Sequence, residues 1–269
     1  MKRHIFSYSI GQLIPYIDWS YLYHAWGIDP TKNTAQAGEL VHDAKAILDK
    51  AADRQQAHGI FALCDARSDG DNIIFEGRTL PLLRQQHSID GVPNLCLSDF
   101  VSPHGDKIGL FATSIDSTFG YGYAGDTYQN LLAKTLADRL AEATATLMHR
   151  EVRTDSRFWG YAPDEHLTPE QLNREEYQGI RPAVGYPSLP DQSIIFTIDK
   201  LLQLREAGIE LTDNGAMRPH ASVCGVMIAH PAAQYFAVGK IDGEQLEDYA
   251  ERRGTTTAEL TRFLAKNIG

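Results

Sequence analysis

The chain has 269 residues, 43% hydrophobic and 22% charged, with a formal net charge of −10, which is typical of a globular protein and argues against a nucleic-acid partner. It has no run of about 18 apolar residues, as a membrane span requires, and no signal-like stretch after its first residues, so neither a membrane nor secretion is expected. Its three cysteines, Cys64, Cys96 and Cys224, form no CxxC pair, which argues against a zinc site or disulfide framework and favours a reduced, cytoplasmic compartment.

The first half of the chain is predicted to combine one long helix with short strands. Residues 5–26 are rich in aromatic side chains, and Asp18 is the only acid among them. Apolar residues recur at helical spacing over 37–58, which predicts a helix. Strand-like runs separated by turn signals follow, and they cover 59–63, 73–76, 95–100 and 108–115.

The second half is predicted to be mostly helical. Helices are expected over 126–152, 169–177, 193–207, 242–253 and 257–267, with strands near 217–228 and at 235–238. Asp164 or Thr168 is expected to cap the helix that Pro169 begins. Because strands and helices are mixed without strict alternation, an α+β fold is favoured over a doubly wound α/β sheet.

A glycine loop, Gly120-Tyr-Gly-Tyr-Ala-Gly125, matches the GxGxxG pattern of dinucleotide-binding folds. It follows a predicted strand and precedes the longest helix, as a Rossmann phosphate loop does. A Rossmann site also needs a second strand soon after that helix, with an acid at its end. The residues after Val152 are instead polar and turn-rich, and Asp138 and Glu142 lie inside the helix. We therefore interpret the loop as a flexible strand-to-helix turn.

The most informative stretch is Tyr177-Gln-Gly-Ile-Arg-Pro-Ala-Val-Gly-Tyr-Pro187. Its prolines favour an edge strand or an ordered loop. Arg181 offers a planar fork for a carboxylate, Tyr186 an aromatic face for a cation, and Gly185 a backbone that a ligand can approach. S-adenosylmethionine presents the complementary carboxylate, ammonium, sulfonium and planar adenine. On the residues alone, the simpler interpretation of a rigid loop with a surface arginine is preferred.

Several phrases, in order along the chain, resemble the activation domain of cobalamin-dependent methionine synthase. The central one is Gly179-Ile-Arg-Pro-Ala-Val-Gly-Tyr-Pro187. The others are Tyr16-Ile-Asp-Trp19, Leu83-Arg-Gln-Gln86, Asn94-Leu-Cys-Leu-Ser-Asp-Phe100, Leu136-Ala-Asp-Arg-Leu-Ala-Glu-Ala143, Trp159-Gly-Tyr-Ala162, 222–225, Tyr235-Phe-Ala-Val-Gly-Lys240 and Glu247-Asp-Tyr-Ala250. Because they span essentially the whole chain, the set is far more specific than any single phrase.

The resemblance implies a set of S-adenosylmethionine contacts, namely Asp18, Glu142, Glu175, Arg181, Ala183, Gly185, Tyr186, Tyr235 and Phe236. It implies that Arg181 clamps the ligand carboxylate and that Asp18 accepts a hydrogen bond from a ligand amine or hydroxyl. Tyr186 and Tyr235 would shape the sulfonium site, and the backbone near Ala183 and Gly185 would hold the adenine. Without the resemblance, Glu142 would be interpreted as a solvated helix residue beside Arg139, and Tyr235 and Phe236 as strand packing.

The sequence also departs from the family pattern. Val184 stands where many members have proline, Gln192-Ser193 replaces His-Thr, and Arg218 replaces a tryptophan. The cobalamin-binding D-x-H-x-x-G motif is missing, since Asp164-Glu-His166 is followed by Leu-Thr-Pro. We therefore expect a stand-alone activation protein with one domain over 1–269, although a piece excised from a longer chain would look the same.

The resemblance implies a C-shaped α+β domain with a bent antiparallel sheet flanked by helices. It also implies a role in methionine biosynthesis: support of the reductive remethylation of cob(II)alamin on a methionine synthase acting in trans. S-adenosylmethionine would be the methyl donor, the partner a cobalamin-binding domain or truncated methionine synthase, and the electron donor flavodoxin-like. One alternative is a module that senses S-adenosylmethionine or gates a corrinoid protein without catalysis. Another is a Rossmann-type methyltransferase that uses the Gly120 loop, which a bulky residue at Gly122 would test.

Overall fold

The main sheet is organised by one long central strand. The computed structural model describes residues 1–86, 91 and 93–269. Within them the strands are β1 (Arg3–Ser9), β2 (Gln56–Asp69), β3 (Asn72–Phe75), β4 (Arg78–Pro81), β5 (Asp106–Ile115), β6 (Glu210–Leu211), β7 (Met217–Arg218) and β8 (Ser222–Ile228). The hydrogen-bonded order is β4-β3-β2-β5-β8, with β1 also paired to β2, and β6 and β7 pair separately. All these strand pairs are antiparallel.

Helices cover both faces of this sheet. They are α1 (Ile10–Leu13), α2 (Trp19–Ala25), α3 (Thr34–Ala51), α4 (Thr127–Thr154), α5 (Pro169–Asn173), α6 (Ile194–Leu202), α7 (Gly243–Arg253) and α8 (Thr257–Leu264). Helix α4 begins as the sequence predicts, because the Asp126 carboxylate accepts a hydrogen bond from the Gln129 backbone N–H at 2.9 Å. Thr168 caps α5 in the same way through Gln171. The predicted α+β fold, an antiparallel sheet flanked by helices, is confirmed.

Alternating side chains of the sheet divide the core into two layers. Phe61 and Phe111, paired in register on β2 and β5, pack with Leu136 and Leu140 of α4, and we call this layer the α4 core. Their neighbours point to the opposite face and pack with α6, and we call that layer the α6 core. A third, smaller cluster joins α7 and α8. The two-residue period of β2 and β5 therefore places α4 and α6 on opposite sides of one sheet.

Several predicted elements differ from the structure. The helix predicted over 169–177 ends at Asn173, and the one predicted over 193–207 ends at Leu202 and is followed by a 3-10 helix, Leu204–Ala207. The helix predicted over 37–58 ends at Ala51, because 56–58 are in register with β1 and β5 and belong to β2. The strand predicted over 95–100 is a 3-10 helix, Leu97–Phe100, stabilised where Asp99 accepts from the Cys96 N–H at 2.8 Å. Residues 235–238 form no strand, since their backbone bonds go to the loop around Pro187 and Ser188 rather than to a sheet neighbour.

In the ranges 1–86, 91 and 93–269, no helix combines the length and apolarity that a membrane crossing needs. The same residues contain no group of three or more His, Cys, Asp or Glu side chains placed to hold a metal ion.

Candidate ligand-binding site

One cavity of about 470 Å³ lies between α4, the N-terminal end of α2, the end of α5 and the segment 181–188. Its volume falls within the range of small-molecule sites. Eight of the nine sequence-predicted contact residues line it, and they are Asp18, Glu142, Glu175, Arg181, Ala183, Tyr186, Tyr235 and Phe236. Side chains from four distant parts of the chain therefore meet at one place, and each predicted role as a ligand contact stays a prediction.

The segment 180–184 extends the sheet beyond β8. Val226 N–H donates to the Pro182 carbonyl at 3.1 Å, and Val184 N–H donates to the Cys224 carbonyl at 2.9 Å. Gly225 permits this approach, because a Cβ there would lie 2.2 Å from the Pro182 oxygen. The prolines thus sit in an ordered edge segment, as the sequence predicts, and the segment presents Arg181 and Ala183 to the cavity.

Gly185 is the one predicted contact residue that lies outside the cavity wall. It is not among the residues that line the cavity. Its φ is +85°, and an added Cβ would lie 2.4 Å from the Gln192 side-chain oxygen. Its N–H donates to the Leu189 carbonyl at 2.8 Å. Gly185 therefore shapes the turn that directs Tyr186 toward the cavity.

Arg181 brings a positive charge to the cavity wall with few protein partners. Its Nη2 donates to the Thr146 hydroxyl at 2.8 Å, and its backbone N–H donates to the Tyr235 hydroxyl at 2.9 Å. Its Nε is buried without a hydrogen-bond partner among the described residues. Burial favours the neutral form, but Tyr177, Tyr235 and the cavity acids outweigh it and raise the pKa of Arg181. Among the described residues its guanidinium bonds to the Thr146 hydroxyl and to no carboxylate, so this cation can receive an external anion.

Three carboxylates line the same cavity. Glu142 accepts a hydrogen bond from the Tyr186 hydroxyl at 2.7 Å. Burial raises the pKa of Glu175, while the nearby Arg181 guanidinium acts in the opposite direction. Asp18 caps α2, since its Oδ1 accepts from the Ser20 N–H at 2.9 Å. The cavity therefore offers anionic groups for a ligand cation beside a cationic group for a ligand anion.

Aromatic rings form another part of the wall. The Tyr235 hydroxyl lies 3.2 Å from the Tyr177 hydroxyl, and it also accepts the hydrogen bond from the Arg181 backbone N–H. Phe236 N–H donates to the Ser188 hydroxyl at 3.1 Å. Tyr186 is half exposed at the rim, and burial together with Glu142 raises its pKa. The hydroxyls of Tyr186 and Tyr235, whose pKa values burial raises, therefore stay protonated at neutral pH, and the rings provide apolar faces.

The glycine loop lies outside this site. Gly120, with φ of +83°, precedes a 3-10 turn, Tyr121–Tyr123, and Asp126 then starts α4. None of its residues line the cavity. The next strand of the described chain after α4 is β6, far beyond the short α/β connection that a Rossmann site requires. The structure thus agrees with the interpretation of a strand-to-helix turn.

Thirteen of the 21 lining residues were not among the predicted contacts, and four of these thirteen are Tyr16, Tyr21, Arg139 and Thr146. Thr146 follows Glu142 by four residues, so helical spacing places both on one face of α4. The guanidinium of Arg139 lies 5.2 Å from the centre of the Tyr21 ring. The helical period could have identified Thr146, whereas the contact between Arg139 and Tyr21 joins two helices whose relative placement no local pattern encodes.

Comparisons with known proteins agree on one family. Residues 9–254 match the family described as "Vitamin B12 dependent methionine synthase, activation domain". A crystal structure of the MetH reactivation domain bound to AdoHcy is similar to this chain with a TM-score of 0.92 and 37% sequence identity. The match covers 100% of this chain and 91% of that one.

Proposed function

This chain belongs to the activation-domain family of vitamin B12 dependent methionine synthase, and from that premise we propose that it binds S-adenosylmethionine and supports methylation of a cobalamin held by a methionine synthase acting in trans. The observation that carries the proposal is Arg181, a cation without an acidic partner among the described residues, on a cavity wall that also bears carboxylates and aromatic rings. The related reactivation domain is bound to AdoHcy, which differs from S-adenosylmethionine only by the transferred methyl group.

The charges of the cavity suggest an orientation for the ligand. The Arg181 fork receives the carboxylate, because its guanidinium bonds only to the Thr146 hydroxyl among the described residues and has the matching planar geometry. Glu142, Glu175 and Asp18 are the acids available to the ligand ammonium and ribose hydroxyls. Tyr186 and Tyr235 face the sulfonium, which an aromatic ring attracts. The backbone at Ala183 holds the adenine, whereas Gly185, which does not line the cavity, shapes the adjoining turn.

The proposed source of the cobalamin is a partner. Residues 1–269 contain no D-x-H-x-x-G motif, and the partner that we propose is a cobalamin-binding domain or truncated methionine synthase, reduced by a flavodoxin-like donor. Bound S-adenosylmethionine supplies the methyl group that the partner's reduced cobalamin accepts. Methyl transfer moves no proton, so this chain needs no acid or base and contributes by holding the donor in line with its acceptor.

The test follows the cobalamin absorption spectrum in a mixture of S-adenosylmethionine, reduced flavodoxin and a cobalamin-loaded methionine synthase that lacks its activation domain. We expect fast methylcobalamin formation only with this protein. Arg181→Ala should weaken S-adenosylmethionine binding by about 2 kcal/mol or more, because the ligand carboxylate loses its charged partner. Calorimetry of both proteins measures this loss.

Two outcomes would contradict the proposal in different ways. Equal remethylation without the protein would exclude the activation role, and binding without acceleration would then favour an S-adenosylmethionine-sensing or gating module. Equal ligand affinity of the wild-type and Arg181→Ala proteins would exclude the carboxylate contact. Gly122→Val, in the glycine loop outside the cavity, is the control and should bind like wild type.

A further inference from the structure

Thr146 on α4 forms a hydrogen bond with the Arg181 guanidinium. The Thr146 hydroxyl accepts from Arg181 Nη2 at 2.8 Å and donates its own hydrogen to the Glu142 carbonyl at 3.0 Å. Thr146 is buried at the cavity wall. Because a hydroxyl has one hydrogen, the bond to Glu142 leaves only lone pairs directed at the guanidinium.

The hydrogen bond between Thr146 and Arg181 joins two groups that have little conformational freedom, so it can fix the orientation of the guanidinium. A β-branched side chain in a helix has few χ1 rotamers, and the threonine hydroxyl is further held by the carbonyl four residues earlier. The backbone of Arg181 is fixed as well, through its bond to Tyr235. Among the described residues the guanidinium makes one hydrogen bond, from Nη2 to the Thr146 hydroxyl, and its Nε is enclosed by protein without a partner. One corner of the fork is thus anchored to protein, and Nη1 with the second hydrogen of Nη2 is left for a ligand.

We propose that Thr146 is a positioning residue that sets carboxylate recognition, because its hydroxyl fixes the orientation in which Arg181 presents its free donors. This inference rests on the proposed binding of S-adenosylmethionine. Without the hydroxyl, Nη2 loses its acceptor and the guanidinium turns toward other acceptors, among them Glu142 and Glu175, which line the same cavity. A guanidinium bonded to these acids would no longer be available to bind the ligand carboxylate.

The inference predicts a selective effect. Thr146→Val, nearly equal in shape, should weaken S-adenosylmethionine binding about tenfold, whereas the affinity for decarboxylated S-adenosylmethionine should change less than about twofold. The two ligands share sulfonium, ammonium, ribose and adenine, so their difference isolates the carboxylate. Thr146→Ser retains the hydroxyl and should restore most of the wild-type preference.

Thr144→Val is the matched control. Thr144 lies on the same helix, is fully buried and donates its hydroxyl to the Leu140 carbonyl at 2.7 Å, but it does not line the cavity. It therefore reproduces the loss of a helix-internal hydroxyl bond without the contact to Arg181. Both affinities should stay within about twofold of wild type.

Calorimetric titration of all variants with both ligands, at matched folded fraction by circular dichroism, tests the inference. In an Arg181→Ala background, Thr146→Val should have no further effect; a persistent loss would mean that Thr146 contacts the ligand itself and would overturn the inference. Equal losses for both ligands would also overturn it. If Thr146→Val does not fold, Thr146→Ala provides the same comparison. If the wild-type protein binds neither ligand, the proposed function itself is wrong. If the wild-type protein binds but Thr146→Val leaves the ratio of the two ligand affinities unchanged, only the inference about Thr146 is wrong.

Discussion

Individual side chains at the cavity are held by hydrogen bonds to other parts of the protein. Tyr186 extends from the turn at Gly185, and its hydroxyl reaches Glu142 on α4 at 2.7 Å. The Tyr235 hydroxyl contacts the Arg181 backbone at 2.9 Å. Each ring is thus held by its polar end, which leaves its face available to a ligand.

The two rings should discriminate between ligand charges. Tyr186→Leu and Tyr235→Leu should weaken S-adenosylmethionine more than S-adenosylhomocysteine, because only the former carries the sulfonium cation that a ring attracts by roughly 0.5–2 kcal/mol. Competition calorimetry with both ligands gives the difference. Tyr186→Phe keeps the ring without the bond to Glu142 and should preserve the preference. Equal losses for both ligands would show that the rings only pack.

His149 is a buried base behind the cavity. Its Nε2 lies 2.9 Å from the Tyr161 hydroxyl, and its Nδ1 has no partner among the described residues. Burial, together with the charges of Arg153 and Arg181, holds the pKa of His149 well below its ordinary value. The folded protein therefore keeps this imidazole neutral, whereas the unfolded chain protonates it near its ordinary pKa.

This difference predicts a pH dependence of stability. The contribution of His149 is complete above its unfolded pKa of about 6.5 and is lost progressively as the pH falls below that value, because only the unfolded state takes up the proton. Between about pH 6.5 and 5.5 the free energy of unfolding should fall by about 1 kcal/mol more in wild type than in His149→Phe. Urea unfolding at both pH values measures this. The exposed-site variant His104→Phe should follow wild type, and identical slopes for wild type and His149→Phe would contradict the assignment.

Much of the chemistry of the cavity could be predicted from sequence, because all of its predicted residues except Glu175 lie in the phrase at 179–187 and in three others, at 16–19, 136–143 and 235–240. The phrase at 179–187 supplies Arg181, Ala183 and Tyr186, all at the wall. What sequence could not supply is the partner of each group. The contact between Arg181 and Thr146 joins residues 35 positions apart and depends on how the segment packs against α4.

At the scale of elements, α4 serves both the core and the cavity. Leu136 and Leu140 of this helix belong to the α4 core, while Glu142 and Thr146 line the cavity. The helix rests on β5, β2 and β8, and β8 in turn carries the segment with Arg181. The sheet therefore fixes the position of one cavity wall, α4, relative to the other, the segment with Arg181.

Gly225 on β8 allows the segment with Arg181 to pack closely against the sheet. Gly225→Ala should lower the free energy of unfolding by about 1–3 kcal/mol, because the new Cβ would lie 2.2 Å from the Pro182 oxygen and force the segment outward. Displacement of Arg181 should also weaken ligand binding by about tenfold or more. Urea unfolding and calorimetry measure the two effects. Gly122→Ala, with no atom within 4 Å of the added Cβ, should change neither, and a wild-type-like Gly225→Ala protein would contradict the account.

The elements best predicted from sequence have a strong period or a strong cap. Helix α4 has both, with an apolar stripe and Asp126 at its start. The predicted helix over 37–58 continued too far, because 56–58 join the sheet through tertiary pairing that overrides local propensity. Strand β1, Arg3–Ser9, was missed within the aromatic stretch, since its pairing with β2 involves residues some fifty positions away.

At the scale of the molecule, both large core layers share the main sheet. The three tryptophans, Trp19, Trp26 and Trp159, pack against the α4 core. The three cysteines, Cys64, Cys96 and Cys224, are buried in the α6 core. Because one set of strands forms both layers, we propose that residues 1–269 constitute one cooperative domain.

These residues provide two separate probes of that cooperativity. During urea unfolding, tryptophan fluorescence reports on the α4 core and thiol labelling on the α6 core. If both layers belong to one domain, the two transitions should have the same midpoint, because neither layer can lose the shared sheet alone. Midpoints that differ by more than the fitting error would indicate two separately unfolding units.

The distribution of the cavity walls along the chain also bears on when a ligand can act. The walls include Asp18, the α4 residues Glu142 and Thr146, the segment with Arg181, and Phe236. During synthesis, no binding site can exist until the ribosome has released the chain through Phe236. A ligand therefore cannot guide the early collapse of the nascent protein. It acts on the finished structure, where contacts that form late in folding lengthen the lifetime of the native state more than they hasten its formation.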